Sequence, residues 1–182
     1  MFRFKQSTIG LMIAGLVMAA AVTAHAKPSS SEAIAEANAT IEKFKKADPG
    51  LDKFFDAAAG YAVFPNAGKG GLGVGVAHGE GVLFVKGRPV GTTKMTQVSV
   101  GATAGGQAFS EIIFFQSVAA LTSFQRGETK FAGQVSAVAL KSGASANAKY
   151  QEGVAVFTAT KGGLMLEASV GGQTFSFEPF AK

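Results

Sequence analysis

Histidine occurs twice in the 182-residue chain, and only His78 lies beyond a leader-like opening segment. His78-Gly79-Glu80 is the one close pairing of an imidazole with a carboxylate, and on a strand the two side chains share a face. A zinc site takes three or four ligands, and neither a further His nor a clustered second carboxylate accompanies this pair. Serine hydrolysis needs a nucleophile, a base and an orienting carboxylate. The nearest approach to a Gly-x-Ser-x-Gly elbow is Gly143-Ala144-Ser145-Ala146-Asn147, which ends in Asn, while Asp48, Asp52 and Asp56 all fall in the helical opening part. Glu111, Glu128, Glu152, Glu167 and Glu178 are too dispersed to form a glycosidase pair. With no Cys, thiolate metal sites, disulfides and Cys nucleophiles are excluded. The residues therefore describe a protein without catalytic machinery, metal or cofactor.

Glycine is concentrated between Lys69 and Gly81. The stretch is not a P-loop, because Gly68-Lys69 lacks the required upstream Gly and is followed by Gly70, and it fails the dinucleotide fingerprint, where Val76 stands at the third glycine position. What remains is Gly71, Gly73 and Gly75 on one strand face opposite Leu72, Val74 and Val76. A face without side chains admits another backbone, an aromatic ring or a ligand, so it is either a tight seam or a groove. Glu111 and Glu167 each interrupt an apolar run, as solvent-facing strand positions or as buried partners of a Lys such as Lys161.

The elements that must carry these residues divide at about residue 60. Ser29 with Glu32 fits a capping box, and Ile34, Ala37, Ile41 and Phe44 follow at helical spacing. Asp48-Pro49 ends that helix and opens another bearing Leu51, Phe54, Phe55 and Ala58. Strands are expected at 61–64, 72–78, 81–86, 96–105, 111–116, 133–140, 153–160, 164–170 and 174–177, with a short helix at 117–124. The expected fold is α+β: a mainly antiparallel, glycine-rich sheet, closed as a barrel or stacked as a sandwich, with two N-terminal helices and one short internal helix packed on it.

Residues 1–26 have the three parts of a secretory signal: Arg3 and Lys5, an uncharged run at 9–22, and Ala24-His25-Ala26 before a cut. Its removal would leave a single domain at 27–182, exported to a periplasm, with 15 basic and 12 acidic residues. The surplus charge lies on the strand-rich part, where Lys69, Lys86, Arg88 and Lys94 surround neighbouring turns. They read either as one basic rim for an anionic surface or as scattered solubilising charge. Nucleic acid is a poor match, with two Arg and no Trp beyond the signal.

Gly60-Tyr61-Ala62-Val63-Phe64-Pro65, the run Lys69–Gly75 and Gly81-Val82-Leu83 resemble the opening of the SYLF domain. Val100–Gln107, Glu111-Ile112-Ile113-Phe114-Phe115 and Ala120–Phe124 resemble its centre; Val135–Ala139 and Lys161–Ser169 resemble its close. The likeness spans 33–177 in order and spacing. It implies a lipid-binding module: eukaryotic members bind phosphoinositides through basic and amphipathic N-terminal elements, and some bind actin, which is not an expected partner in a periplasm. On that basis the expected partner is an anionic phospholipid or membrane surface, met by Lys69, Lys86, Arg88 and Lys94 together with Lys43, Lys45 and Lys46. Phe54 and Phe55 either meet acyl chains or belong to the core, the ordinary fate of an amphipathic helix face. The alternative is a structural or protein-partner module of the bacterial envelope, using an exposed strand edge or the glycine face.

Overall fold

The structure, a computed structural model, describes residues 29–131, 135–161 and 172–181, with the backbone only at 72, 73 and 99–105. The signal-like segment and the strand expected at 164–170 lie outside the described residues. Helix α1 (Ser30–Ala47) starts where the capping pattern places it, with Ser29 Oγ accepting from the Glu32 N–H at 3.3 Å. Ala37, Ile41 and Phe44 are buried along one stripe, Ile34 half-buried, and Glu32 and Lys45–Lys46 complement the two ends of the helix dipole. Asp48 terminates it, donating its N–H to the Phe44 carbonyl at 2.9 Å. Its carboxylate caps Gly50 at 3.1 Å, and Pro49 opens a 3-10 turn (Pro49–Leu51) before α2 (Asp52–Ala57).

Strands β1 (Gly60–Val85) and β2 (Arg88–Phe115) form one long antiparallel hairpin. The sequence reading breaks this region into short strands at its glycines. Extended backbone accommodates Gly without difficulty, and the ladder is instead interrupted by register shifts at Phe64/Ala67, Leu72/Val74 and Leu83/Phe84. The connection is Lys86-Gly87, both at positive φ (50° and 71°), the conformation that matches a two-residue turn to the strand twist.

Helix α3 (Val118–Gln125) follows β2, its N-terminus capped by Ser117 Oγ, which accepts from Ala120 N at 3.2 Å. Beyond it lie β3 (Ala137–Ala139), β4 (Val154–Thr160) and β5 (Gln173–Pro179). The sheet runs β1-β2-β4-β3, and β5 pairs with residues 91–97 at the opposite half of β2 from β4, which takes 109–115. All ladders are antiparallel except β3 with β4. Among the described residues β1 pairs only with β2 and β3 only with β4, so the path is open and the expected barrel closure is not found. The two longest strands satisfy one another, and a three-residue parallel edge offers little to close on.

Alternating side chains bury both faces of this sheet. One face packs under α1 and α2, where Phe44, Leu51 and Phe54 meet Tyr61, Val63, Phe84, Ile112, Phe114 and Phe157. The other packs with α3 and β5, where Phe64, Leu83, Met95, Ile113 and Phe115 meet Phe124, Phe131 and Phe175. β1 also turns back on itself, bringing residues 79–84 against 60–67. Gly81 marks the tightest point, because a Cβ there would overlap the Val63 carbonyl oxygen and press on the Phe64 ring. Gly81→Ala is expected to lower the unfolding free energy by about 2 kcal/mol. A denaturant midpoint unchanged by that substitution would show that the two halves of β1 do not touch there.

Candidate functional site

The helix pair and the hairpin turn enclose a hollow of about 450 Å³ whose walls include Ile41 and Lys45 of α1, Phe55 of α2, Tyr61 at the start of β1, and Lys86 in the turn. Lys45 belongs there because it sits four residues after buried Ile41, on the flank of the stripe that faces the sheet. Its Nζ lies 2.9 Å from Asp52 Oδ1 and 4.7 Å from the centroid of the Phe55 ring. Hydrogen bonding to Asp52 raises the Lys45 ammonium above its ordinary value against a smaller opposing effect of burial, so it stays charged at every physiological pH. The Phe55 ring is half-buried and sets its edge or face on Tyr61 (5.0 Å) and Phe114 (4.8 Å), while Tyr61 stacks on Phe84 at 5.2 Å. Burial pushes the Tyr61 phenol up, so it remains a neutral donor. The hollow thus brings Lys86 and an Asp52-bonded Lys45 over a fixed aromatic floor, with Asp56 at its edge.

Of the residues singled out from the sequence, Lys45, Lys86 and Phe55 come together here. Arg88 is exposed just past the turn, and Lys43 and Lys46 are exposed on α1. Lys94 is spoken for by Glu80, 3.6 Å away on the neighbouring strand, and Lys69 lies far along β1 opposite Gln107. Lys69, Lys86, Lys94 and Arg88 of the strand-rich part therefore occupy three separate places. Phe54 is a correction: at 5% exposure it is core, ringed by Phe114, Phe157 and Tyr150, because its position on α2 faces the sheet squarely. Tyr61 enters the sequence reading only within the Gly60–Pro65 motif, with no site role; its signal there is an aromatic beside the glycine that opens the first strand.

His78 and Glu80 share the exposed face expected of them and line, with Glu36 and Asn66, a second open hollow of about 430 Å³. Among the described residues no group of three or more metal-ligating side chains is assembled. Of the glycine face, Gly75 is buried and Gly71 half-buried, while Val74 and Val76 stand about half exposed with Val98, the cross-strand partner of Val76. Glu111 is neither of the things its sequence context allowed. It is fully buried, and Lys161 donates instead to Asn66. Glu167 lies outside the described residues. No described helix is long and apolar enough to cross a membrane.

No family model matches the chain. A curated relative, Beta cell expansion factor A of Aeromonas veronii, is 30% identical over 128 residues. That alignment covers 70% of this chain and 49% of the relative, so the chain spans about half the length of the protein it matches.

Proposed function

We propose that this chain is a non-catalytic SYLF-type module, exported to the periplasm, that binds an anionic lipid surface. The observation that carries this reading is the convergence of Lys45 and Lys86 on one hollow over Phe55 and Tyr61. Lys86 answers headgroup phosphate directly, Lys45 does so by exchanging its bond to Asp52, and the half-buried ring offers an apolar contact beneath them. Lys86 adds weight because it occupies a positive-φ turn position that suits Asn far better than Lys. Arg88, exposed just past the turn, adds to the positive charge beside Lys86. The order of SYLF-like motifs along the sequence supports the family reading.

The test is co-sedimentation of residues 27–182 with neutral and anionic liposomes at low and high salt. Binding to anionic liposomes alone, weakening as salt rises, is the expected result. Lys86→Asn keeps the turn while removing the charge, and should reduce affinity about fivefold; combined with Lys45→Gln the loss should reach about thirtyfold. Equal binding by the double variant would remove the hollow from the interaction. A second reading, attachment to an envelope protein, is favoured by exposed Val74, Val76 and Val98. It predicts salt-insensitive association that Val76→Thr weakens and Lys86→Asn does not.

A further inference from the structure

The face of the sheet packed by α3 and β5 contains a group that has no place in an apolar core. Glu111 and Gln173 are wholly buried, with Gln97 at 1% and Thr158 at 3% exposure beside them. Gln173 Nε2 donates to Glu111 Oε2 at 3.2 Å and more weakly to Gln97 Oε1 at 3.5 Å. Glu111 Oε1, Gln173 Oε1 and Thr158 Oγ1 have no partner among the described residues. Thr158 on β4 and Phe64 on β1 are the cross-strand neighbours of Glu111, and Gln173 reaches it from the first position of β5.

As a carboxylate, Glu111 would keep one buried oxygen with no hydrogen-bond donor among the described residues. As the acid it carries an O–H of its own, and Gln173, whose Nε2 already donates to Oε2, has an unpartnered Oε1 as the matching acceptor. Burial pushes the Glu111 carboxyl up to about 7, against the smaller downward pull of the Gln173 bond. Among the described residues, the groups that face it, Phe64, Gln97, Thr158 and Gln173, carry no charge; Lys130 and Lys161 are exposed, the latter held by Asn66.

We propose that Glu111 is a proton-operated latch: as the neutral acid it holds Gln173, and with it the start of β5, against β2, and as the carboxylate it lets residues 172–179 lift. β5 is the element placed to respond, because among the described residues its ladder is to β2 alone, supplemented by the Lys130–Thr174 bridge, backbone bonds that join Phe131 with Gln173 and Gly172 and Val98 with Gly172, and the Thr93 and Thr174 hydroxyls, which donate to the Ser176 and Thr96 carbonyls. Lifting uncovers Phe175 and its ring partners Phe64, Phe124 and Phe131, which lie 5.0–6.0 Å from it. The latch is independent of the lipid-surface reading, since it lies on the other face of the sheet.

Amide hydrogen exchange at pH 5.5 and 8, corrected for intrinsic rates, tests it on the whole chain. Protection across residues 173–179 should fall on the order of tenfold or more between those pH values, while that of 109–115 holds. In Glu111→Gln, which donates without titrating, the β5 protection should not change with pH. Unchanged wild-type protection of β5, an equal loss in 109–115, or the same loss in Glu111→Gln would each overturn the latch. Should Glu111→Gln not fold, carboxyl-carbon NMR titration of the wild type decides: a Glu111 midpoint above about 6 supports the latch and one below about 5 overturns it.

Discussion

Replacing Phe114 with Ala will cost about 4 kcal/mol of stability. The ring is completely buried at the point where both N-terminal helices meet the sheet, with centroids of Phe54, Phe55, Tyr61 and Phe157 between 4.8 and 5.9 Å away. Truncation removes the transfer free energy of the ring and leaves a cavity bordered by four aromatics, which cannot close it without breaking their own edge-to-face contacts. Urea unfolding followed by circular dichroism measures the loss. A drop below about 1.5 kcal/mol would mean that the helices are seated by something other than this cluster. Because Phe55 rests on Phe114, the same variant should also loosen the basic hollow, so its liposome binding is informative only at temperatures where it stays folded.

Asp48→Ala should cost about 3 kcal/mol through a different mechanism. The Asp48 carboxylate accepts from Gly50 N at 3.1 Å and from Ser145 N at 2.6 Å, joining the end of α1 to the 3-10 turn at Ala144–Ala146 on the far side of the sequence. Lys53 Nζ braces the same turn at the Ser145 carbonyl, 2.7 Å away. Burial alone would raise the Asp48 carboxyl, but the Ser145, Gly50 and Gly143 donors outweigh it and hold the group below its ordinary value of 3.8. A folded-state value depressed in this way contributes stability that is complete above about pH 4 and disappears as pH falls through the lower folded value. The advantage of wild type over Asp48→Asn should therefore be flat from pH 5 to 7 and shrink at the acid end. An advantage that grows on acidification would contradict the carboxylate assignment. Glu111 runs the opposite way, since its raised value makes the fold lose stability as pH rises between about 4.5 and 7.

Local signals carried much of this architecture. Ser29, the stripe from Ile34 to Phe44, Asp48-Pro49 and Ser117 each act on backbone within a turn of themselves, and each does so here. The strands read at 96–105 and 153–160 likewise fall on extended backbone, although the glycines concealed that β1 and β2 are two continuous strands. What a single sequence does not encode legibly is pairing over distance. Nothing around Ser145 shows that its N–H completes Asp48, and nothing around Glu111 shows that Gln173 waits opposite it. Lysines in the strand part were legible as charge but not as geometry: only the fold separates Lys86, at the mouth of the hollow, from Lys94, engaged by Glu80.

The hairpin of β1 and β2 also sets an order of assembly. Its turn at Lys86-Gly87 joins neighbours in sequence, so the ladder can zip outward with little loop entropy lost at each step. β5 meets the same strand at a sequence separation of 76, as in Gln97 to Gln173, and must wait for the chain between to be collected. The strand that arrives last on the folding route is the one that Glu111 holds in place. Its departure can thus retrace the final folding step without disturbing the hairpin, and the proton taken up there would complete folding.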